Sequence, residues 1–374
     1  MTCTELSERK VSIDPHNQHR AVEALFIGWN YPLSGQGNKV YSLDKVKTTK
    51  PITKHGINRK LFAVYIECKD IEKHQQLRVA VGIARIDEKD FHRVLDRKPN
   101  RSYQRYQEFA QMFDAAIKDG VELLVLPENY LPFDWLPIVS RMCANNQIAL
   151  VTGIEHVIVT SRSENPDSRG HVYNLTAVIL PFEFDDYKFA NISYHNKVEY
   201  SPLEKEQIEG HGYTLKCGDT YQLFCWRDVW FSVYCCFELA SIQDRALFQS
   251  YSDITVAVEW NKDVPYFSNI IESLSRDLHC YCIQANSSDY GDSRVVSPTE
   301  TLVKDIIRTK GGKNNCILSD ELNIKKLRDF QMLDYNLQSD DRSFKQTPPG
   351  FNKTILELKR DGGLFQRIFK DGLM

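Results

Sequence analysis

The fold is decided by three consecutive segments, Leu77-Arg-Val-Ala-Val-Gly-Ile-Ala84, Tyr103–Lys118 and Glu122-Leu-Leu-Val-Leu-Pro-Glu128. The first and third are short apolar runs of the kind that form buried strands. In the second, aromatic and aliphatic residues repeat at helical spacing, and Gly120 follows where the end of a helix favours glycine. The three segments therefore predict a β-α-β unit.

The same alternation of strands and helices continues to about residue 335. The further predicted strands are 148–153, 173–180, 191–197, 229–235, 253–258 and 280–285, and the further predicted helices are 135–145, 241–250 and 266–278. The strands carry enough apolar residues to cover two sheet faces. This pattern favours a layered α/β sandwich over an all-α or all-β architecture, with its main domain at residues 77–335.

The composition excludes several classes of protein. The 374 residues are 42% hydrophobic and 26% charged, with 47 basic and 50 acidic side chains and a formal net charge of -3. No apolar stretch approaches the ~20 residues that cross a bilayer, and the N-terminus has no apolar signal region, so we expect a cytoplasmic protein. The ten cysteines are then expected to be free thiols, and a small disulfide-stapled scaffold is excluded.

Two flanks differ from this domain. Residues 1–76 form an N-terminal extension that is basic between Lys39 and Lys60. Two interpretations stay open for it, a solvated extension and, with less support, a nucleic-acid-binding edge. Residues 336–374 form a C-terminal tail whose last amphipathic stretch, Thr354–Phe369, is a candidate contact for a partner or for a dimer.

Three chemically reactive side chains stand where predicted strands stop. Glu128 ends the strand quoted above, Lys197 ends Asn191-Ile-Ser-Tyr-His-Asn-Lys197, and Cys236 ends Trp230-Phe-Ser-Val-Tyr-Cys-Cys236. Sites in layered α/β proteins form at strand ends. A cysteine nucleophile needs a base, and a tetrahedral intermediate needs a cation or hydrogen-bond donors at its oxyanion. The three residues supply these functions together, although each alone is weak evidence.

The sequence resembles the nitrilase superfamily of carbon-nitrogen hydrolases, which has a Glu-Lys-Cys triad. The matching motifs occur in the family's order: Leu126-Pro-Glu128, Tyr173-Asn174, Tyr194-His-Asn-Lys197, Ser201-Pro-Leu-Glu204, Cys236-Phe-Glu238, Glu259-Trp-Asn261, Ala285-Asn286 and Gly291-Asp-Ser293. The resemblance covers about residues 77–335. It implies an αββα sandwich, commonly dimeric, that acts on amides, carbamoyl compounds or nitriles without a metal or an organic cofactor.

The resemblance also implies a role for each matching residue. Cys236 would be the nucleophile, Glu128 the general base and acid, and Lys197 the oxyanion stabiliser. Glu204 resembles a second glutamate that many members hold near the site. Cys236 is preferred to Cys235 because the family's acid lies two residues after its nucleophile, where this chain has Glu238; Cys235 is then expected to face the other side of the strand as packing.

Further residues are expected around this triad. The backbone N–H of Phe237 is a candidate second oxyanion donor. Tyr130, Trp260 and Asn261 are expected to line the substrate pocket. The charged segment 87–101 is longer than the loop usual in the family, which leaves the substrate undetermined.

These observations lead to two hypotheses for function. The first is an amidase-like hydrolase that cleaves a non-peptide carbon-nitrogen bond through a thioester on Cys236. The alternative is an accessory or regulatory module of a larger assembly, which keeps the fold and acts mainly by binding.

Overall fold

A computed structural model describes residues 46–49, 52–53, 59–66, 76–160, 169–184 and 187–371. Within these ranges the strands are, in chain order, β1 (Val46–Thr48), β2 (Ile52–Thr53), β3 (Lys60–Ile66), β4 (Leu77–Ile83), β5 (Leu123–Leu131), β6 (Ala149–Ile154), β7 (Val157–Val159), β8 (His171–Tyr173), β9 (Leu175–Phe184), β10 (Tyr187–Asn196), β11 (Thr214–Leu215), β12 (Thr220–Trp226), β13 (Val229–Cys235), β14 (Ile254–Val258), β15 (Tyr281–Ala285), β16 (Arg294–Val296), β17 (Asp305–Arg308) and β18 (Cys316–Leu322).

The helices of the described ranges are α1 (Glu88–Leu95), α2 (Tyr103–Lys118), α3 (Leu136–Asn146), α4 (Pro202–Gly210), α5 (Ile242–Arg245), α6 (Val264–Leu278), α7 (Ile324–Met332), α8 (Tyr335–Asp341), α9 (Lys353–Arg360) and α10 (Leu364–Asp371). Two 3₁₀ turns, Phe133–Trp135 and Cys236–Ala240, precede α3 and α5.

The strands form two large sheets and one small sheet. The first sheet has the order β1-β3-β12-β13-β14-β15-β16-β17, with β2 paired to β3. The second has the order β10-β9-β6-β5-β4-β18, and the small sheet has the order β11-β8-β7. Within the second sheet β4, β5 and β6 are parallel neighbours, as the predicted β-α-β unit requires.

The two large sheets pack face to face. Side chains of the first sheet, including Val64, Phe231 and Val256, share one buried cluster with side chains of the second sheet, including Val81 and Val125. Because side chains alternate between the faces of a strand, their neighbours along the chain point outward and need a second cover.

Helices provide that cover on both outer faces. The outward residues of the first sheet are buried by α6, α9 and α10, and those of the second sheet by α2 and α3. The resulting order of layers is helix, sheet, sheet, helix, so the predicted αββα sandwich is confirmed.

The helix α2, which lies between the two strands of the β-α-β unit, shows why the sequence adopts this structure. The Ser102 hydroxyl accepts a hydrogen bond from the N–H of Arg105 and so caps the start of α2. Phe109 and Phe113 lie on its buried face, and Gly120 follows its end with a left-handed φ of 65°. The predicted helix at 103–118 is confirmed.

The helix predicted at 241–250 is wrong beyond its first turn. Only α5 forms, because the carbonyl oxygen of Asp244, which a longer helix would offer to the N–H of Phe248, accepts a hydrogen bond of 2.9 Å from the hydroxyl of Tyr234. Ser250 then has a left-handed φ of 69°, and the segment continues as turns that bury Leu247 and Phe248.

The boundary predicted before residue 77 needs correction. Strand β3 pairs in parallel with β12, and Phe62, Val64 and Ile66 belong to the core between the sheets. The basic residues of this segment that the structure describes include Arg59, which pairs with Asp244 and Glu199, and Lys60, which lies 2.6 Å from Asp219. Lys39, Lys45, Lys50 and Lys54 lie outside the described residues.

The C-terminal tail packs on the outer face of the first sheet. Ile355 of α9 and Leu364 and Phe365 of α10 are buried there, and the Phe365 ring stacks on Tyr65 of β3 with 4.5 Å between centroids. The apolar face of the predicted amphipathic stretch thus contacts the sheet of the same chain. In the described part of the chain, no helix is both long enough and apolar enough to cross a membrane.

A buried ionic cluster fastens this tail to the sandwich. The Asp253 carboxylate accepts from Arg328 at 2.7 Å, from Lys359 of α9 at 3.0 Å and from the N–H of Trp230 at 2.9 Å. Burial alone would raise the pKa of Asp253, but Arg328 and Lys359 outweigh it and lower the pKa to about 2. The carboxylate therefore contributes stability above its ordinary titration range, and that stability is lost as pH falls towards 2.

We expect Asp253→Asn to lower the free energy of unfolding by about 3–5 kcal/mol, because two cations then stay buried without their shared anion. Urea denaturation at pH 7 measures this loss, and Asp114→Asn, which breaks the exposed Lys118 pair at 2.6 Å, should cost under ~1 kcal/mol. Equal effects of the two substitutions would contradict the role of the cluster.

Candidate active site

Lys197 stands at the centre of a buried group of charges. It follows β10, where its N–H donates to the carbonyl oxygen of Asn174 at 2.9 Å. Its Nζ lies 2.8 Å from Glu128 Oε1 and 2.6 Å from Glu204 Oε2, and the side chain is 1% exposed. Burial lowers the pKa of Lys197, but the two carboxylates outweigh it and raise the pKa well above its ordinary value. The structure thus brings together three of the predicted residues around a stable cation.

Glu128 does not end its strand as predicted. It lies inside β5, at a register shift between Leu126 and Leu131, and the next residue, Asn129, has a left-handed φ of 56°. The neighbouring strand β6 makes room with Gly153, where a Cβ atom would lie 2.3 Å from Glu128 Cα. The irregularity in β5 therefore fixes the position of the Glu128 carboxylate, and it requires a glycine at residue 153 of the neighbouring strand.

Both oxygens of the Glu128 carboxylate accept hydrogen bonds. Oε1 accepts from Lys197, from Asn174 Nδ2 at 2.7 Å and from Cys235 Sγ at 3.2 Å. Oε2 accepts from the N–H of Trp260 at 3.1 Å. These bonds fix the orientation of a carboxylate that is almost fully buried.

Glu204 reaches the same group from the first turn of α4. The Ser201 hydroxyl caps this helix by accepting from the N–H of Glu204 at 3.2 Å, and Pro202 occupies the first turn. Glu204 Oε1 accepts from Asn174 Nδ2 at 2.8 Å and lies 3.1 Å from His156 Nε2. Burial raises the pKa of Glu204, but Lys197 and His156 outweigh it and lower the pKa to about 2.

The two adjacent cysteines contact this group in different ways. Cys236 begins the 3₁₀ turn after β13 with a left-handed φ of 47°, is 9% exposed, and lines a cavity together with Glu128 and Lys197. Cys235 was expected only to pack on the other side of the strand, and this is wrong because its sulfur contacts the Glu128 carboxylate. The reason is the sharp turn at Cys236, which ends the strict alternation of side chains.

Both thiols have raised pKa values. Burial is the main cause for each, the Glu128 carboxylate adds to it, and Lys197 opposes it. Both Cys235 and Cys236 are therefore protonated at neutral pH before any reaction.

Glu238 fastens the loop of Lys197 to the turn of the cysteines. Its Oε1 accepts from the N–H of Val198 at 2.6 Å and its Oε2 from the N–H of Cys235 at 2.6 Å. His195 Nε2 lies 2.8 Å from Oε2, and the carboxylate is fully buried. This supporting residue of the sequence motif thus joins two segments that are far apart in sequence.

The cavity that opens on these residues has a volume of about 330 Å³. Its lining includes the predicted pocket residues Trp260 and Asn261 and the predicted donor residue Phe237. The rest of the lining is Glu88, Ser201, Leu203, Gln207, Lys262, Asp263, Tyr266 and Phe267, besides Glu128, Lys197, Glu204 and Cys236. The Asn261 backbone is held by Asn286, whose Oδ1 accepts from its N–H at 2.9 Å.

Tyr130 does not line this cavity, which corrects its prediction as a pocket residue. The irregularity in β5 directs it to the helix side of the second sheet, where it is buried beside α2. The Arg105 guanidinium lies 5.0 Å from the centroid of its ring and donates to its carbonyl oxygen at 2.8 Å.

The sequence did not predict the roles of three residues that shape the site. Asn174 donates to both carboxylates, Gly153 gives space to Glu128, and His156 contacts Glu204. The Tyr173-Asn174 motif marked Asn174 without indicating its role, whereas no local pattern distinguishes Gly153 or His156. The described residues contain no cluster of three His, Cys, Asp or Glu side chains suited to a metal ion.

Comparison with solved structures finds proteins of similar architecture. An amidase from Nesterenkonia sp. is 15% identical, with a TM-score of 0.46 over 72% of this chain and 97% of its own. A CN-hydrolase superfamily protein from Xanthomonas campestris is 12% identical, with a TM-score of 0.49 over 73% of this chain and 99% of its own. A mutant of the Nesterenkonia amidase, described as from the nitrilase superfamily, is 14% identical, with a TM-score of 0.44 over 71% and 97% of the two chains.

No family model and no curated protein sequence matches the chain. At these identities and TM-scores the likeness gives no information on substrate or activity. The αββα layering of the chain therefore follows from its own sheets and helices.

Proposed function

We propose that this chain is a hydrolase of non-peptide carbon-nitrogen bonds that forms a thioester on Cys236. The observation that carries the proposal is the buried Lys197 ammonium between Glu128 and Glu204, in the wall of a cavity that Cys236 also lines. This arrangement offers a thiol, a proton acceptor and a fixed cation to one small molecule.

The first half of the reaction follows from the charges. The Cys236 thiol is neutral at rest because burial and Glu128 raise its pKa, so the sulfur attacks the carbonyl carbon as Glu128 takes its proton. The carbonyl oxygen becomes an oxyanion, which Lys197 and the Phe237 N–H are proposed to stabilise. When the carbon-nitrogen bond breaks, the nitrogen leaves with the proton held by Glu128, and a thioester remains.

The second half releases the acyl group. Water attacks the thioester carbon, Glu128 takes a proton from it, and the same oxyanion stabilisation applies. The carbon-sulfur bond then breaks, the thiol regains its proton, and a carboxylic acid leaves. Glu204 stays paired with Lys197 during both halves of the reaction. Glu238 keeps the loop of Lys197 and the turn of Cys236 together through its bonds to the N–H groups of Val198 and Cys235.

The cavity supports a small substrate with an apolar part. Five of its lining side chains, those of Leu203, Phe237, Trp260, Tyr266 and Phe267, are apolar or aromatic. An amide is the substrate that we propose, with carbamoyl compounds and nitriles as related classes. The homodimer or higher oligomer and the cytoplasmic location, both expected from the sequence, stay predictions.

Incubation with a library of small primary amides, followed by acid quenching and intact-mass measurement, tests the nucleophile. We expect an acyl adduct that hydroxylamine removes, as a thioester requires. Cys236→Ala should abolish the adduct, whereas Cys235→Ala, the matched loss of the neighbouring thiol, should retain it.

Two results would contradict this assignment. An adduct that is lost only in Cys235→Ala would transfer the role of nucleophile to the neighbouring thiol. The absence of any adduct and any turnover, in a folded protein that still binds ligands in the cavity, would favour the accessory module that acts by binding.

The general base is tested by Glu128→Gln, which keeps the size of the side chain and removes its ability to take a proton. We expect acylation to slow by about 10²–10⁴-fold, as measured by rapid-quench mass spectrometry. Glu209→Gln is the control, because Glu209 is absent from the lining of the cavity and forms an exposed pair with Lys205 at 3.8 Å; it should change the rate by less than about threefold. Equal slowing in both variants would argue against a base at residue 128.

A further inference from the structure

The hydrogen-bonded group of the candidate site continues to a second cavity. Lys197 Nζ donates to Glu128 at 2.8 Å and to Glu204 at 2.6 Å. His156 Nε2 lies 3.1 Å from Glu204 Oε1 and so extends this group of hydrogen-bonded side chains. The His156 side chain is 1% exposed, yet it lines a separate cavity of about 280 Å³. Glu204 therefore stands between the two cavities, with Lys197 on one side and His156 on the other.

The charges of this hydrogen-bonded group do not balance without His156. Two carboxylates, Glu128 and Glu204, face the single ammonium of Lys197. A protonated imidazole at residue 156 would supply the second cation and satisfy Glu204. A neutral imidazole would leave Glu204 to compete with Glu128 for the same ammonium.

The surroundings of His156 contain groups of both signs. Glu204 approaches from α4, and the Phe91 ring of α1 makes a T-shaped contact with the imidazole, with 5.1 Å between centroids. Glu155 precedes it in the chain, and burial raises the pKa of that carboxyl to about 7 in spite of Arg105. The second cavity also has Arg97 and Arg101 in its lining, with Asp134 paired to Arg101.

We propose that His156 is a positioning residue of the reaction, whose protonated form holds Glu204 and so leaves the Lys197 ammonium to Glu128 and the reacting oxygen. The proposal rests on the proposed function. It predicts that reactivity at Cys236 responds to the charge of His156, which touches neither the thiol nor the cavity beside it.

The first experiment measures the link without any turnover. The nitrogen signals of the His156 imidazole are recorded by NMR at pH 5 in the wild-type protein and in Glu204→Gln, with His156→Gln used to assign them. We expect these signals to shift when the carboxylate at residue 204 is lost, because Glu204 Oε1 lies 3.1 Å from His156 Nε2. Unchanged signals would overturn the proposal, whatever the fate of the proposed function.

The second experiment measures how fast 2-chloroacetamide alkylates Cys236 between pH 5 and 9. In this step the sulfur displaces chloride, so a thioether forms and the thiol proton is released. We expect His156→Gln to react about tenfold more slowly than wild type at pH 5, and at the wild-type rate at pH 9, because only the protonated imidazole supplies the missing cation.

The control for alkylation is His92→Gln. His92 contacts Phe91 and stacks on His211, near the same region but without a bond to Glu204, and its alkylation profile should match that of wild type. A constant ratio between His156→Gln and wild type at every pH would mean that His156 acts only through packing. If neither protein forms a thioester from amides, the NMR result still decides the link.

Discussion

A lysine buried between two carboxylates is the interaction on which this structure depends. Moving such charges out of water costs several kcal/mol for each ion, and the loss is recovered only when all partners are in place. Glu128 comes from an irregular strand of the second sheet, Lys197 from the loop after its edge strand, and Glu204 from a helix N-terminus. The group is therefore satisfied only in the folded sandwich, which gives the site its geometry before any substrate binds.

The site is held by residues that take no part in the chemistry. Gly153 lets two backbones approach where a side chain would collide with Glu128, and Glu238 joins the segments of Lys197 and Cys235 through backbone N–H groups. Asn174 spans both carboxylates with one amide group. Each of these is a local constraint that fixes a charge to within hydrogen-bonding distance, which is what preorganised catalysis requires.

The sequence predicted well where the evidence was local. Helix α2 and strand β13 have the predicted bounds. The structure brings Lys197 to Glu128, which the strand-end argument had grouped with it, and to Glu204, which the family resemblance had added. The errors have long-range or irregular causes. Parallel pairing of β3 with β12 joins segments about 160 residues apart in the chain, and no period of two or 3.6 residues reveals it. The irregularity that redirects Tyr130 and the turn that brings Cys235 to Glu128 likewise break the alternation on which the prediction relied.

The count of charges limits how the thiol can react. Burial raises the pKa of Cys236, and the neighbouring Glu128 carboxylate adds to this effect, because a resting thiolate would place a further negative charge in a buried site that holds one lysine. In the proposed reaction, attack by sulfur then coincides with proton transfer to Glu128, which removes one negative charge as the oxyanion forms. The total charge of the group stays constant during the step, so the low dielectric that makes a resting thiolate costly imposes no added penalty on the reaction.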